Sequence, residues 1–355
     1  CRCNTIWWEN TAATLRSAVS CGFASRLTAS PVAFAVALVV ASEPGAGPVI
    51  GRADVDVVPG AGPVTIRALL RAFMLIAPDI VPVAADYRKY ADYTPRFADE
   101  FGYQAPPAWS TLTRVVHDEP LDPFGDQMLV HQKAMGGNYK LARGMRSHLT
   151  PGDIDDVSYK ADGSRDWLIP TDKWDDIEDW HWACQLQQAQ TIRFGVEHMR
   201  SLEPINAGAL VWQLNDDLPV VSWSAVDYDG HRKPLWYASR DFFAPRLATI
   251  QPRISQQQWD ARSWEGKRPA ADKLALVVLN DTREPWAGTW TVERRTLEGE
   301  VLATQCIEVS LGAVDHATVY LEPEVATFTD ASSEIIVAVA DQPGFARIGA
   351  HHGDG

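Results

Sequence analysis

The sequence predicts an α/β domain followed by a small all-β domain, because the spacing of its apolar residues changes along the chain. Between residues 86 and 250, a short strand, a long amphipathic helix at 178–200 and a continuous apolar strand at 207–214 follow one another. That order is typical of a (β/α)8 TIM barrel, of which these would be the last strands. After about residue 250 the apolar residues recur at every second position, which predicts a small immunoglobulin-like β-sandwich.

Local signals predict each element of the α/β part. Residues 96–102 predict a short buried strand that ends in acidic residues and a glycine turn. A proline is expected to open a short helix over 106–116, and a helical stretch over 126–149 is expected to break at Gly136–Gly137. The Asp, Gly and Pro residues of 151–173 favour a loop.

The long helix and the apolar strand after it are the strongest elements of the pattern. The helix is expected to bury one face, whose residues recur at three- and four-residue steps: Trp182, Leu186, Ala189, Ile192, Val196 and Met199. Continuous apolar residues over 207–214 predict a strand buried on both faces, as in a parallel sheet. A further helix is expected over 234–244, opened by a proline.

The all-β part is predicted from alternating runs separated by turn residues. Strands are expected at 274–279, 289–294, 301–309 and 317–321. Turn residues lie at 280–282 and 298–299. The expected division of the chain is an atypical region over 1–85, the barrel part over 86–250, a linker over 251–269 and the sandwich over 270–355.

The first 85 residues differ in composition from the rest of the chain. They contain no Lys, His, Gln or Tyr, and their apolar runs follow neither the helical nor the strand period. One interpretation is a poorly patterned N-terminal region. The other is an out-of-frame translation of a GC-rich gene, with the frame resuming near Asp86, and translating all three frames of the gene would distinguish the two.

Charge and cysteine content restrict the classes of partner. The net charge of −14 argues against nucleic-acid or anionic-membrane partners, which would need a basic face. The five Cys residues show no CxxC or Cys/His spacing for a metal, so a reduced protein without metal or organic cofactor is expected. Fourteen Trp residues suit either stacking on sugar rings or ordinary core packing.

Two polar constellations follow predicted strands. Glu100 lies where the first strand ends, which is where a barrel places its active site, although a solvated turn carboxylate would look the same. Trp212, Asn215 and Asp216 lie at the end of the apolar strand. Trp212 could form the floor of a sugar subsite, with Asn215 and Asp216 binding hydroxyl groups, but a packing Trp followed by a turn fits the spacing equally well.

Three motifs together resemble the β-mannosidase branch of glycoside hydrolase family 2. They are FADEFGYQ at Phe97–Gln104, GGN at Gly136–Asn138, and WQLNDDLPVVSWSAVDYDGHRKPLWYASRDFFAP at Trp212–Pro245. The resemblance extends from about Asp86 to Arg253, continues more loosely through the sandwich, and favours mannosidases over the β-galactosidase and β-glucuronidase branches. It implies that Glu100 is the catalytic nucleophile and that Trp212 lines the sugar subsite.

The resemblance also indicates what such an enzyme has beyond these motifs. Members begin with a sugar-binding β-sandwich and an Ig-like domain, which cannot fit ahead of Asp86, so the chain is expected to be the C-terminal part. Their acid/base glutamate follows an Asn on the fourth barrel strand. The acidic residue nearest the corresponding distance is Glu9, but Trp8 precedes it, and the alternative is that the acid/base is absent.

The function implied by the resemblance is that of a retaining exo-β-mannosidase acting on terminal, non-reducing β-mannose of an oligosaccharide or glycoside. No cofactor, nucleic acid or membrane is implied, and the oligomeric state is not predicted. The alternatives are an inactive carbohydrate-binding or structural remnant, and a family 2 β-glycosidase with another sugar preference. The expected location, by analogy with bacterial relatives, is the cytoplasm.

Overall fold

A computed structural model describes residues 87–145, 148–149, 174, 176–261, 271, 273–341 and 351–352 of the 355-residue chain. The atypical region over 1–85 and the loop expected over 151–173 therefore lie outside the described residues. No helix in the described ranges is both long and apolar enough to cross a membrane.

The α/β part is built around two short parallel strands. Strand β1 (Ala98–Phe101) pairs with strand β2 (Ala209–Val211), and a β-bulge shifts the register between Ala98 and Phe101. A 3₁₀ helix precedes β1, and the α-helices that surround the pair are α1 (Trp109–Val115), α2 (Asp126–Val130), α3 (Gly137–Met145), α4 (Ile177–Arg200) and α5 (Pro234–Phe242). The predicted strand over 96–102 and all four predicted helical stretches are confirmed, with bounds that differ by a few residues.

Helix α4 follows the predicted bounds closely, and its cap explains its start. The Asp176 carboxylate accepts a hydrogen bond from the Asp179 amide at 2.8 Å, which satisfies one of the free N–H groups of the first turn. Ile192, Val196 and Met199 are buried as predicted. The helix therefore packs its C-terminal half by the apolar spacing seen in the sequence.

The N-terminal half of α4 contradicts the predicted face. Trp182 is 55% exposed and Leu186 is also exposed, whereas Gln185, Gln187 and Gln188 are buried. The reason is that this half packs against loop backbone, whose carbonyl groups need donors. The three glutamine amides supply them, donating to the carbonyls of Pro106, Pro107, Gly144, Tyr103 and Ser224.

The strand predicted over 207–214 is shorter and more exposed than expected. Strand β2 covers three of those residues, and the side chain of Leu210 is half exposed. Within the described residues β2 pairs on one edge, with β1. A strand that is buried on both faces of a larger sheet has a continuous run of apolar residues. That run is the pattern from which the longer strand over 207–214 was predicted.

The C-terminal part consists of two antiparallel sheets packed face to face. One sheet has the order β3-β4-β7 and the other β6-β5-β8-β9. The strands are β3 (Arg246–Arg253), β4 (Lys273–Asn280), β5 (Trp286–Thr296), β6 (Val301–Leu311), β7 (Asp315–Tyr320), β8 (Glu334–Ala340) and β9 (His351–His352), and helices α6 (Gln256–Ala261) and α7 (Pro323–Ala326) lie between them. Both sheets contribute to one apolar core that contains Trp286, Trp290 and Ile336.

The four strands predicted in this part are confirmed, but β3, β8 and β9 were not predicted. Strand β3 pairs with β4 along its whole length, so the predicted boundary at residue 250 falls inside a sandwich strand. The predicted linker over 251–269 contains the end of β3 and helix α6 in its described part. The proposed division into domains is otherwise still a prediction.

The end of α4 packs against the outer face of the sheet that contains β3. Thr249 donates to the Glu197 carboxylate at 2.7 Å, and the Arg253 guanidinium donates to the Ser201 hydroxyl at 2.7 Å. Leu247, Val277 and Leu279 form a small apolar cluster in the same sheet. Strand β4 is therefore buried at every position after Lys273, and its period-two pattern is not reflected in its burial.

Candidate active site

The pairing of β1 with β2 brings the two predicted constellations together at one end of the sheet. The Trp212 amide donates to the Phe101 carbonyl at 2.8 Å, so Trp212 lies beside the residue that follows Glu100. Both strands run in the same direction, and their carboxyl ends meet at this edge. This is the edge at which barrel enzymes carry their catalytic groups.

Two glycines allow the close packing that fixes the end of β1. A Cβ on Gly102 would lie 2.3 Å from the Trp212 carbonyl oxygen, so only glycine lets the two chain segments approach this closely. On helix α4, a Cβ on Gly195 would lie 2.2 Å from the Phe101 ring. Phe101 is buried and packs edge-on against Tyr90, with ring centroids 4.8 Å apart. The backbone next to Glu100 is thus held from both sides.

The side chains of Glu100 and Trp212 are accessible from solvent. Glu100 is exposed, and Trp212 is 49% exposed although it lies at the end of a strand. The side-chain amide of Asn215, which is partly exposed, lies 3.5 Å from the Asp216 carbonyl oxygen. A carboxylate and a half-exposed indole at neighbouring strand ends can meet a sugar ring, which presents apolar C–H faces and polar edges.

Asp216 differs from the other predicted site residues because its carboxylate is buried. Its side chain is 1% exposed and accepts hydrogen bonds from the Ser222 hydroxyl and, at 3.1 Å, from the Gln213 amide. The Lys133 ammonium lies 3.4 Å from it. The prediction that Asp216 binds sugar hydroxyl groups directly is not favoured by this burial.

The GGN motif joins the first motif through a chain of side-chain amides. Gln104 donates to Gln132 at 2.9 Å, and Gln132 donates to Asn138 at 2.6 Å. Gly137 lies against the Gln132 side chain, where a Cβ would lie 2.3 Å from its amide carbon. The structure therefore unites all three sequence motifs around one site, with GGN in a supporting position.

A buried lysine lies below this edge of the sheet. The Lys233 ammonium donates to the Ala105 carbonyl at 3.2 Å and is fully enclosed. Burial lowers the pKa of Lys233 to about 7, and the charges of Asp216 and Asp227 act in the opposite direction. Burial also lowers the pKa of the nearby His181 imidazole. Asp227 is buried and accepts from the Thr111 hydroxyl at 2.7 Å.

Sequence reasoning missed the groups that support the site. Lys133, Gln213 and Ser222 contact Asp216, and Lys233 lies beneath it. These residues lie within or near the second and third motifs, but the identity of a single polar residue does not show which partner its side chain will contact. Glu9, the acid/base candidate, lies outside the described residues.

The described residues contain two free thiols and no cluster with the composition of a metal site. No group of three or more His, Cys, Asp or Glu side chains in that part of the chain is placed to hold a metal ion. Cys184 is a buried free thiol and Cys306 an exposed one. The side chains that the structure brings to this edge are instead a carboxylate, an indole and amides.

The chain is similar in sequence to β-mannosidases from animals and fungi. It is 33% identical over 159 residues to β-mannosidase from Bos taurus, which covers 43% of this chain and 16% of that protein. It is 26% identical over 253 residues to β-mannosidase A from Aspergillus fumigatus, which covers 67% of this chain and 24% of that protein. The chain thus spans roughly a sixth to a quarter of the length of these relatives. No family model matches it.

Solved structures of glycoside hydrolases share the fold. β-D-Mannosidase from Dictyoglomus thermophilum superposes with a TM-score of 0.57 at 24% identity, covering 74% of this chain and 28% of that one. The exo-chitosanase CsxA from Amycolatopsis orientalis superposes with a TM-score of 0.51 at 16% identity, covering 75% of this chain and 29% of that one. At these identities the likeness shows the fold alone.

The relatives that the chain matches are β-mannosidases, and its fold is shared with parts of solved glycoside hydrolases. The resemblance to β-mannosidases predicted from the three motifs is thus confirmed by curated relatives and by a solved β-mannosidase structure.

Proposed function

We propose that the chain supplies the nucleophile side of a retaining exo-β-mannosidase active site. Glu100 is the nucleophile and Trp212 is the floor of the sugar subsite. The observation that supports this proposal is the backbone contact between Trp212 and Phe101, which sets an accessible carboxylate and a half-exposed indole on adjacent strand ends. The names of the relatives support mannose as the sugar.

In this proposal β1 and β2 are neighbouring strands of a (β/α)8 barrel. Their parallel pairing and the helices between them in the chain support that assignment. The two packed antiparallel sheets that follow are an immunoglobulin-like sandwich. The site residues then belong to the barrel, and the sandwich braces the end of helix α4.

The reaction would proceed in two steps. A Glu100 carboxylate oxygen attacks the anomeric carbon of a terminal β-mannoside, while the bond from that carbon to the leaving oxygen breaks and an acid protonates the leaving oxygen. Water, losing its proton to the same partner, then hydrolyses the mannosyl ester and releases Glu100. The two carboxyl groups of retaining glycosidases lie about 5–5.5 Å apart.

The proposal keeps two alternatives for the acid/base, Glu9 or a residue absent from this chain. If Glu9 is the acid/base, its contribution is separable from that of Glu100. An aryl mannoside whose leaving group is acidic needs little protonation, so its attack by Glu100 depends weakly on an acid. A natural mannoside depends on the acid strongly. Replacing Glu9 with Gln should then lower kcat/KM for a mannobioside much more than kcat/KM for an activated aryl mannoside, because kcat/KM reports the attack by Glu100. Equal effects on the two substrates would favour an absent acid/base.

The test of the proposed activity is hydrolysis of 4-nitrophenyl glycosides by the purified chain. Release of nitrophenol from the β-mannoside, but not by Glu100→Gln, supports the proposal. The likeness to an exo-chitosanase favours one further comparison, with the β-glucosaminide beside the β-glucoside and β-galactoside. Faster release from one of these would establish another sugar preference, whereas sugar binding without turnover would support a carbohydrate-binding remnant.

We also propose a cytoplasmic location and a glycoside as the partner, with no nucleic acid or membrane. The chain's net charge of −14 supports the expectation of no nucleic-acid or membrane partner, because nucleic acids and anionic membranes would repel the chain. Fractionation of the source cells, followed by immunodetection of the chain, tests the location.

A further inference from the structure

We propose that Asp216 is a positioning residue: it fixes the segment that carries Trp212 and joins it to the strand that carries Glu100. The part of this proposal that concerns sugar rests on the proposed function, whereas the part that concerns Trp212 does not. Asp216 makes no contact with sugar in this account, because its carboxylate is enclosed by protein.

Asp216 is hydrogen-bonded to the segment that carries Trp212. The Gln213 amide nitrogen donates to the Asp216 carboxylate at 3.1 Å and to the Asn215 carbonyl at 2.6 Å. The Gln213 side chain therefore connects the start of the turn that follows Trp212 to both residues at its end. Without the carboxylate, Gln213 would keep the Asn215 carbonyl and lose the acceptor that connects this turn, through Asp216, to Ser222.

Asp216 is also connected, through Ser222, to the segment that follows the strand carrying Glu100. The Ser222 hydroxyl donates to the other oxygen of Asp216, and the backbone of Ser222 exchanges two hydrogen bonds with Ala105, at 2.9 and 3.2 Å. Ala105 lies five residues after Glu100, directly after the first motif and beyond the end of β1. Asp216 therefore links the two segments whose relative placement sets the distance between the carboxylate and the indole.

Asp216 also contacts Lys133, which lies in the loop that precedes the GGN motif. The Lys133 ammonium lies 3.4 Å from Asp216 and 3.2 Å from Asp217, and the Lys133 amide donates to the Val221 carbonyl at 3.1 Å. Asp217 is 80% exposed, and its carboxylate contacts neither Gln213 nor Ser222 among the described residues. Asp216 and Asp217 thus share the Lys133 ammonium, but only Asp216 accepts hydrogen bonds from Gln213 and Ser222.

That difference provides a matched control. Asp216→Ala and Asp217→Ala each remove one negative charge and one partner of Lys133. Only Asp216→Ala removes the bonds to Gln213 and Ser222 and leaves the enclosed Lys233 with one fewer opposite charge nearby. A general effect of charge or of Lys133 should appear in both variants, whereas a positioning effect should appear in the first alone.

The experiment is ¹⁹F NMR of the full chain labelled with 5-fluorotryptophan. The resonance of Trp212 is assigned with Trp212→Phe, and those of Trp286 and Trp290 in the sandwich core are assigned in the same way. Asp216→Ala should shift or broaden the Trp212 resonance and leave the two core resonances in place. Asp217→Ala should leave all three unchanged. Asp216→Asn, which can still accept from Ser222, should restore the Trp212 resonance in part.

A second readout measures the consequence for sugar. The rate of covalent labelling by 2-deoxy-2-fluoro-β-mannosyl fluoride should fall in Asp216→Ala by up to about 100-fold, the cost of a misplacement of about 1 Å. It should remain within about twofold in Asp217→Ala, as for a surface substitution without further ties. If the unchanged chain is not labelled, the proposed function fails, and the Trp212 resonance still decides the positioning role.

Several outcomes would overturn the proposal. Equal changes of the Trp212 resonance in Asp216→Ala and Asp217→Ala would assign the effect to charge alone. An unchanged Trp212 resonance in Asp216→Ala would show that the segment holds its place without the carboxylate. If Asp216→Ala also collapses the core resonances, Ser222→Ala replaces it. That variant keeps the charge, and a Trp212 resonance that does not respond to it would refute the link.

Discussion

Replacing Gly195 with Ala tests how the end of strand β1 is held, because two opposing effects predict opposite signs. In the middle of a helix, Ala is favoured over Gly by about 1 kcal/mol. Here the new Cβ would lie 2.2 Å from Phe101 Cζ and within 3.0 Å of two further ring atoms. Forcing atoms into a packed core costs about 1–3 kcal/mol. Phe101 is buried against Tyr90, so its ring has little room to turn away.

A 2.2 Å approach to a buried ring places the overpacking cost in the upper part of its range, about 2–3 kcal/mol, against a helix gain of about 1 kcal/mol. We therefore expect Gly195→Ala to lower the free energy of unfolding by about 1–2 kcal/mol. Urea unfolding followed by tryptophan fluorescence measures this free energy. The double variant Gly195→Ala with Phe101→Leu should recover stability relative to the sum of the single variants, by about 1 kcal/mol or more of coupling. A Gly195→Ala chain as stable as the unchanged one, or more stable, would refute the reasoning, as would strictly additive single and double variants.

Three further predictions follow from the same structure. Trp212→Ala should weaken binding of a β-mannoside about tenfold or more, equivalent to about 1.4 kcal/mol, whereas Trp182→Ala, which removes another exposed indole, should leave it unchanged in titration calorimetry. Trp290→Ala should cost about 3–5 kcal/mol of unfolding free energy, because it empties the centre of the sandwich core, and a loss below about 1 kcal/mol would contradict that packing. Stability should rise from pH 7 to 8.5, because the pKa of Lys233 is lowered to about 7 in the folded state and the unfolded state binds more protons in this range. Lys233→Met should flatten the rise in a series of urea titrations, and an unchanged slope would assign it to other groups.

Patterns that repeat over many residues could be read from the sequence. The bounds of helix α4, the four sandwich strands at 273–320 and the parallel strand that carries Glu100 follow from periodicity, caps and turns. The sequence also placed Glu100 and Trp212 at strand ends, and the structure brings these ends to one edge of the sheet. In each case many weak local preferences agree, and their sum is hard to override.

What sequence reasoning missed depends on partners far away in the chain. The sequence did not predict that the glutamines of α4 are buried. A glutamine that donates to a distant backbone carbonyl cannot be distinguished in the sequence from one that faces water. For Asp216 the sequence left sugar binding and a turn equally open, and it did not indicate that the carboxylate binds Ser222 and Gln213. Strand β3 was placed in the barrel and linker because its polar residues, Thr249 and Arg253, bind the end of α4 and interrupt the strand pattern.

The most direct test of the central claim, that Glu100 is a glycosidase nucleophile, is covalent trapping. The purified chain is incubated with 2-deoxy-2-fluoro-β-mannosyl fluoride, and the intact mass and the peptides are then measured. We expect one added sugar per chain, on the peptide that contains Glu100, and none in Glu100→Gln. A sugar on another carboxylate, or a folded chain that binds mannoside yet is never labelled, would contradict it.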